Sequence, residues 1–385
     1  MKILCVFGTR PEAIKMAPVI KQMQGKMQVK VCVTAQHRHM LDSALDVFGI
    51  KSDYDLDIME ESQSLYHITT TCLTRLKKVF DKEKPDLILV HGDTTTTFAA
   101  ALSAFYEKIP VGHVEAGLRS FDKYNPYPEE INRVLTDKMC DLLFAPTRTA
   151  KQNLLKENIP SEKIFVTGNT VIDALYIALR KKHRFSNETL KNLFSTSSPS
   201  KRYILVTAHR RENFGRPLEN ICFALREISE KHSNLEIIYP VHLNPNVQKP
   251  VKRILSNHPG IHLLAPLDYL DFINLMNRAY FIVTDSGGLQ EEGPALGKPV
   301  LVLRKVTERP EAVKAGTAKV IGTDKRKVFE SISRLLEDKK MYNSMAKAEN
   351  PYGDGKASQR IVKIIGNRGR YLKFATFKIV NYVEC

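Results

Sequence analysis

Residues 279–309 read AYFIVTDSGGLQEEGPALGKPVLVLRKVTER, and the order of residue types along them decides the fold. Tyr280 to Val283 is a short apolar run of aromatic and β-branched residues, the composition of a buried strand. Thr284-Asp285-Ser286-Gly287-Gly288 makes a turn. Leu289 to Leu296 reads as a helix stopped by Gly297 and Pro299, and Val300 to Leu303 as a second strand. Strand, glycine turn, helix, strand is a βαβ unit. It sets a helix N-terminus and outward-facing N–H groups at the carboxyl edge of a parallel sheet, where a phosphate is favoured by the helix dipole. Gly287 and Gly288 let that phosphate approach without a Cβ in the way. Glu291 and Glu292 lie one turn inside, where a carboxylate can accept hydrogen bonds from sugar hydroxyls. The same pattern also fits an ordinary βα turn with Ser286 as helix N-cap and acids in the first turn.

The arrangement recurs at the start of the chain. A strand over residues 2–7 runs into Gly8-Thr9-Arg10-Pro11-Glu12 and a helix from about Ala13 to Met23. Arg10 in the turn and Lys15 one turn inside can reach a common anion. Further strands follow at Val29–Thr34, Leu87–Val90 and Ile109–Val114, each leading into a polar turn. Residues 64–82 form a helix with apolar positions at Leu65, Ile68, Cys72, Leu76 and Val79. The turns contain Asp93 (HGDTTTT), Glu115 (EAGLR) and, after the proline-stiffened PYP, Glu129. Repeated βα units define a doubly wound parallel sheet, whose ligand crevice lies outside the carboxyl ends of its strands. Three acids with Arg10 and Lys15 on that one edge suit proton transfer beside an anion.

A second run of βα units begins after residues 183–202, a Ser-, Lys- and Asn-rich stretch read as a surface linker. Its first strand, Tyr203–Thr207, ends in Ala208-His209-Arg210-Arg211. A histidine flanked by arginines suits an anion and can exchange protons near neutral pH. A strand at Leu235–Pro240 leads to His242. Residues 268–276 form a helix whose Tyr269 and Phe272 suit either a flat ring or the core, and residues 326–348 form an amphipathic helix.

Composition narrows the function classes. The chain has 385 residues, 43% hydrophobic and 26% charged, which suits two α/β domains. No apolar run reaches the ~18 residues of a membrane span, and the N-terminus lacks the pattern of a signal peptide. Six cysteines are scattered without a CxxC pair, as in a reduced cytoplasmic protein with neither a disulfide frame nor a metal site. The net charge of +16 is largely dispersed and carries no nucleic-acid signature, which leaves an anionic small substrate or a peripheral contact with an anionic membrane surface.

The motifs FGTRPEAIKMAP (7–18), HGDTTTT (91–97), GHVEAGLRS (112–120), PYPEEINR (126–133), TAHRREN (207–213), PVHLNP (240–245), TDSGGLQEE (284–292), TERPEA (307–312) and NPYGDGKAS (350–358) closely resemble, in order, the non-hydrolysing UDP-N-acetylglucosamine 2-epimerases. The resemblance implies an α/β protein of two Rossmann-like doubly wound domains facing a cleft, as in GT-B glycosyltransferases, and a homodimer. It divides the chain into an N-terminal domain (residues 1–170, joined by a helix at 358–366), a UDP-binding domain (171–357) and an atypical basic tail (367–385). It implies interconversion of UDP-GlcNAc and UDP-ManNAc by elimination and readdition of UDP through 2-acetamidoglucal, without cofactor or metal, to supply ManNAc for surface polysaccharide. By resemblance Asp93, Glu115 and Glu129 are catalytic, with His209 a further candidate. Arg10, Lys15, His209 and the Ser286-Gly287-Gly288 turn hold the diphosphate, Glu292 the ribose, Arg309 the nucleotide and Phe272 the uracil. A second, activating UDP-GlcNAc site would use Gln36, Arg210 and His242. A hydrolysing epimerase and a GT-B UDP-sugar glycosyltransferase are the alternative readings. The family pattern ends near Ile365. Residues 366–385, with four Lys or Arg against one Glu, depart from it and are expected to be dispensable for turnover.

Overall fold

The computed structural model describes residues 1–34, 38–58, 63–195 and 201–368. Gln36 and the tail beyond residue 368 lie outside the described residues. The chain forms two compact units, one of Met1–Ile177 with the segment from Tyr352 onward, the other of Ala178–Pro351.

The first unit holds a seven-stranded sheet of β1 (Lys2–Phe7), β2 (Gln28–Val33), β3 (Tyr54–Asp55), β4 (Leu87–His91), β5 (Val111–Val114), β6 (Leu142–Ala145) and β7 (Ile164–Val166), in the order β3-β2-β1-β4-β5-β6-β7. Every pairing is parallel. The strand order reverses direction between β1 and β4, the switch point at which such sheets bind ligands. The strands are buried and nearly continuous in apolar residues, as a sheet covered on both faces requires. One face packs Leu4, Val6, Ile88, Val90 and Leu143 under Ile68, Cys72, Leu76 and Val79 of the helix Leu65–Glu83 and the alanines of the helix Thr95–Tyr106. Leu65, expected on the same apolar stripe, is only half-buried. A helix over residues 357–368 closes the unit. Its start is fixed by Asp173, whose carboxylate accepts from the Ala357 and Ser358 N–H groups at 3.1 and 2.8 Å.

The second unit holds a six-stranded parallel sheet of β8 (Arg202–Thr207), β9 (Leu235–Pro240), β10 (Ile261–Leu264), β11 (Phe281–Thr284), β12 (Val300–Val302) and β13 (Ala318–Val320), in the order β10-β9-β8-β11-β12-β13. Its switch point lies between β8 and β11. The opening βαβ unit, β11 to β12, therefore borders that switch point.

Two expectations need correction. Residues 183–202 are not a plain linker. A helix spans Glu188–Ser195, Phe185 and Leu190 are buried, and His183 Nε2 and Ser186 Oγ meet the Asp271 carboxylate at 2.7 and 2.6 Å. The amphipathic stretch 326–348 is two helices, Lys325–Glu337 and Lys339–Ala346. Asp338 ends one and starts the other: its N–H bonds Arg334 O, and its carboxylate caps Met341 N at 2.9 Å. Tyr269 is a core residue, whereas Phe272 on the same helix is half-buried.

Candidate active site

In the first unit the carboxyl ends of β1 and β4 are tied together by one buried carboxylate. Glu12 Oε2 accepts from the N–H groups of Gly8 (2.9 Å) and Thr9 (2.7 Å), and Oε1 from the hydroxyls of Thr94 (2.7 Å) and Thr97 (2.9 Å). Arg10 is thus not a turn residue but the first residue of the helix Arg10–Met23, behind the capping box of Thr9 and Glu12. Gly8 is required by close approach, since a Cβ there would lie 2.2 Å from Thr34 Oγ1.

The three predicted acids come together on this edge. Asp93 follows β4, Glu115 follows β5, and Glu129 opens the helix Glu129–Met139. Glu115 and Glu129 act on Asp93 electrostatically. Burial pushes the Asp93 carboxyl up to about 6; the Arg133 guanidinium opposes that rise, and Glu115 and Glu129 add to it. Arg133 Nη1 stands 3.3 Å from Asp93 Oδ2, and Asn132 Nδ2 donates to Asp93 O at 3.0 Å. Glu115 has a left-handed backbone, with φ of 70°, unusual for a residue with a side chain and concentrated at functional sites. Its Oε2 accepts from Lys15 Nζ and from Asn169 Nδ2. Glu129 leaves a buried Oε2 without a hydrogen bond. The site therefore holds carboxyls in contrasting environments, the arrangement that separates acid and base roles.

Lys15 is consequently an ion-pair partner of Glu115 here, whereas Arg10 is half-buried at the helix start. Neither Arg133 nor Asn169 stood out in the sequence. The INR of PYPEEINR carried Arg133, four residues past Glu129, one helical turn on.

In the second unit the organising residue is Asp285. Its Oδ2 accepts from the N–H groups of His209 and Arg210, both at 2.8 Å, and from Asn213 Nδ2 at 3.0 Å. This clips the turn after β8 to the turn after β11. His209 stacks on His242 with ring centroids 5.4 Å apart, and its Nδ1 is 3.5 Å from Asp285 Oδ1. Burial lowers the His209 pKa, assisted by His242 and Arg210 and opposed by Asp285. Ser286 is not the helix cap. Gly288 occupies that position, and the Ser286 N–H bonds Thr284 Oγ1 at 2.9 Å.

Two guanidiniums converge on Gly287. A Cβ there would stand 3.9 Å from Arg210 Nη2 and 4.0 Å from Arg309 Cζ. Arg309 is held by the buried carboxylate of Glu291, and Glu292 Oε2 lies 3.6 Å from the Cβ position of Gly288. A bare peptide turn beneath two arginines, beside a carboxylate, suits a diphosphate joined to a sugar. Phe272 lies on the helix Tyr269–Arg278, which packs against β8. Among the described residues no group of three or more His, Cys, Asp or Glu is placed to hold a metal ion. Among them too, no helix is long and apolar enough to cross a membrane. The five described cysteines are free and buried.

Two doubly wound parallel sheets, one edge bearing acids and the other a diphosphate-type turn, define the GT-B-like class of sugar-nucleotide proteins. Residues 21–366 match the family model of UDP-N-acetylglucosamine 2-epimerase, and the chain belongs to that family. UDP-N-acetylglucosamine 2-epimerase of Escherichia coli K12 is 53% identical over 373 residues, 95% of this chain and 99% of that one. The Salmonella typhimurium enzyme of the same name is 55% identical, over 95% and 98%. The crystal structure of UDP-GlcNAc 2-epimerase from Neisseria meningitidis bound to UDP-GlcNAc is 52% identical, with a TM-score of 0.85 over 95% of this chain and 100% of that one. A putative UDP-N-acetylglucosamine 2-epimerase structure from Listeria monocytogenes is 47% identical, with a TM-score of 0.89 over 97% of both chains.

Proposed function

We propose that this protein interconverts UDP-GlcNAc and UDP-ManNAc at C2, and that it does so by elimination and readdition. The C2 proton leaves as the C1–O bond breaks, and UDP departs with the electron pair, giving 2-acetamidoglucal. Return of a proton to C2 from the opposite face, with attack of the UDP oxygen at C1, completes the inversion. The observation that carries this reading is the Asp93 carboxyl, pushed up to about 6 beside Glu115 and Glu129. A carboxyl poised near neutrality can both take and return a proton. Lys15, Arg10, Arg210, Arg309 and the Ser286–Gly288 turn stabilise the departing diphosphate, which is where charge develops. Glu292 takes the ribose, His209 assists the diphosphate or a proton transfer, and Phe272 lies along the uracil.

The motif resemblance further supports a cytoplasmic homodimer that supplies ManNAc units for surface polysaccharide. It also supports activation by a second UDP-GlcNAc near His242 and Arg210.

Proton NMR of the purified protein with UDP-GlcNAc in D2O tests the reaction. UDP-ManNAc carrying deuterium at C2 is expected. Free ManNAc with UDP would mean hydrolysis, and an unchanged spectrum with confirmed binding would overturn the reaction altogether.

A further inference from the structure

His91, the last residue of β4, is 2% exposed, and neither of its ring nitrogens has a hydrogen-bond partner. A buried imidazole with both nitrogens unmet is unusual and calls for a reason. Its Nε2 lies 4.0 Å from Oε2 of Glu115. That same oxygen receives Lys15 Nζ and, at 2.8 Å, Asn169 Nδ2. Three nitrogen groups thus aim at one carboxylate oxygen, and the histidine is the one held just out of bonding range.

The charged groups facing His91 are Glu115, Lys15 and His113. Burial drives its pKa down to about 3, so the ring is neutral and has one N–H to give. His113 is no rival for Glu115, because its ring is spent on Asp137 (2.6 Å) and Gly92 O (2.7 Å). When a diphosphate draws Lys15 away, Glu115 loses a cation in a buried setting and needs another donor. A shift of roughly 1 Å brings His91 Nε2–H within hydrogen-bond distance.

We propose that His91 is a positioning residue for Glu115, a reserve donor that takes the place of Lys15 on Oε2 when the substrate diphosphate engages the lysine. The inference rests on the reading of Lys15 as a diphosphate ligand. It explains why a polar ring is kept unpaired beneath the acid: its partner arrives only in the loaded state.

The test follows the His91 ring in wild-type protein labelled with [15N]histidine. The Nε2–H proton is expected to move downfield on saturation with UDP, and to be already downfield in unliganded Lys15→Met. In turnover, His91→Phe removes the donor and is expected to lower kcat about 30-fold, the value of one hydrogen bond to a charged group, with KM for UDP-GlcNAc nearly unchanged. His91→Gln, whose amide nitrogen reaches the Nε2 position, is expected to recover most of that loss. A proton signal that moves neither with UDP nor in Lys15→Met would overturn the proposal, whether or not the variants fold. Failure of the wild type to epimerise would instead overturn the reaction assigned above.

Discussion

Arg133 Nη1 stands 3.3 Å from Oδ2 of Asp93, while Nε of the same guanidinium donates to Glu130 at 2.7 Å. Glu130 therefore holds the arginine and the arginine restrains the Asp93 pKa. Because burial raises that pKa to about 6 against the pull of Arg133, the kcat–pH profile should show an inflection near pH 6. Removing the cation in Arg133→Gln takes away stabilisation of the charged form. The inflection should move upward by about one unit. Asp93→Asn should abolish turnover and leave the Kd for UDP within tenfold. Stopped-assay kinetics across pH with isothermal titration of UDP would check both; wild-type-like turnover in Asp93→Asn would remove that residue from the mechanism.

Glu12 tests whether the first edge is built as described. Its two oxygens face the N–H groups of Gly8 and Thr9 and the hydroxyls of Thr9, Thr94 and Thr97. Glu12→Gln keeps the shape but supplies an NH2 on one side. The amide oxygen can stay on the two N–H groups, which cannot reverse, and the NH2 then meets two hydroxyls, which can rotate. Thr97 has one hydroxyl proton for two acceptors, Glu12 Oε1 and His91 O at 2.6 Å, so with that proton on His91 O its oxygen can accept from the new NH2. A loss of about 1–2 kcal/mol is expected in urea unfolding. A loss above about 4 kcal/mol would mean the hydroxyls cannot turn, because that exceeds one unmet buried group.

Asp137 is a second buried anchor, and its protonation should govern part of the acid stability. Its own burial raises the pKa, but His113 and Arg119 more than offset this, so the folded value lies below the ordinary carboxylate range. The unfolded chain then binds a proton more readily than the native one. The stability contributed is complete above the unfolded pKa of about 4 and is lost as pH falls through the lower folded value. Asp137→Asn takes the carboxylate from His113 and one of two from Arg119, which keeps Glu157, and should destabilise by about 3 kcal/mol at neutral pH. The gap to wild type should narrow below about pH 4. Denaturant titrations at pH 7 and pH 3.5 would check this.

The parts legible in the sequence were those written in local pattern. The apolar run, glycine turn and helix of residues 280–296 appear in place, with β11 at Phe281–Thr284 and a helix at Leu289–Ala295. So do the acids at strand ends, because a strand's end and its next turn are sequence neighbours. What escaped notice depends on pairs far apart in the chain. Asp285 is one turn residue among five in sequence, and becomes a hub only through bonds to residues more than 70 positions away. His91 read as the first turn residue after the apolar run Leu87–Val90, whereas it ends the strand, and only its unmet nitrogens distinguish it. Residues 183–202 read as a linker because polar composition hides the few anchors, Phe185, Leu190 and His183, that fasten the segment. The break at Asp338 was hidden because the apolar period runs on across it while one carboxylate caps the new helix.

Gly287 separates a binding role from a folding role. A Cβ at this position would meet nothing nearer than 3.9 Å, ordinary contact distance, and the backbone needs no left-handed conformation there. Gly287→Ala should therefore fold normally, with Tm within about 2 °C of wild type, since open, unstrained positions accept alanine readily. The same Cβ would nevertheless stand between the turn and the guanidiniums of Arg210 and Arg309, in the space assigned to the diphosphate. The Kd for UDP should rise by about 10- to 100-fold, the loss of one or two charge-assisted bonds to phosphate. Differential scanning calorimetry and UDP titration on one sample would decide it. Unchanged affinity in a folded Gly287→Ala would move the diphosphate off this turn.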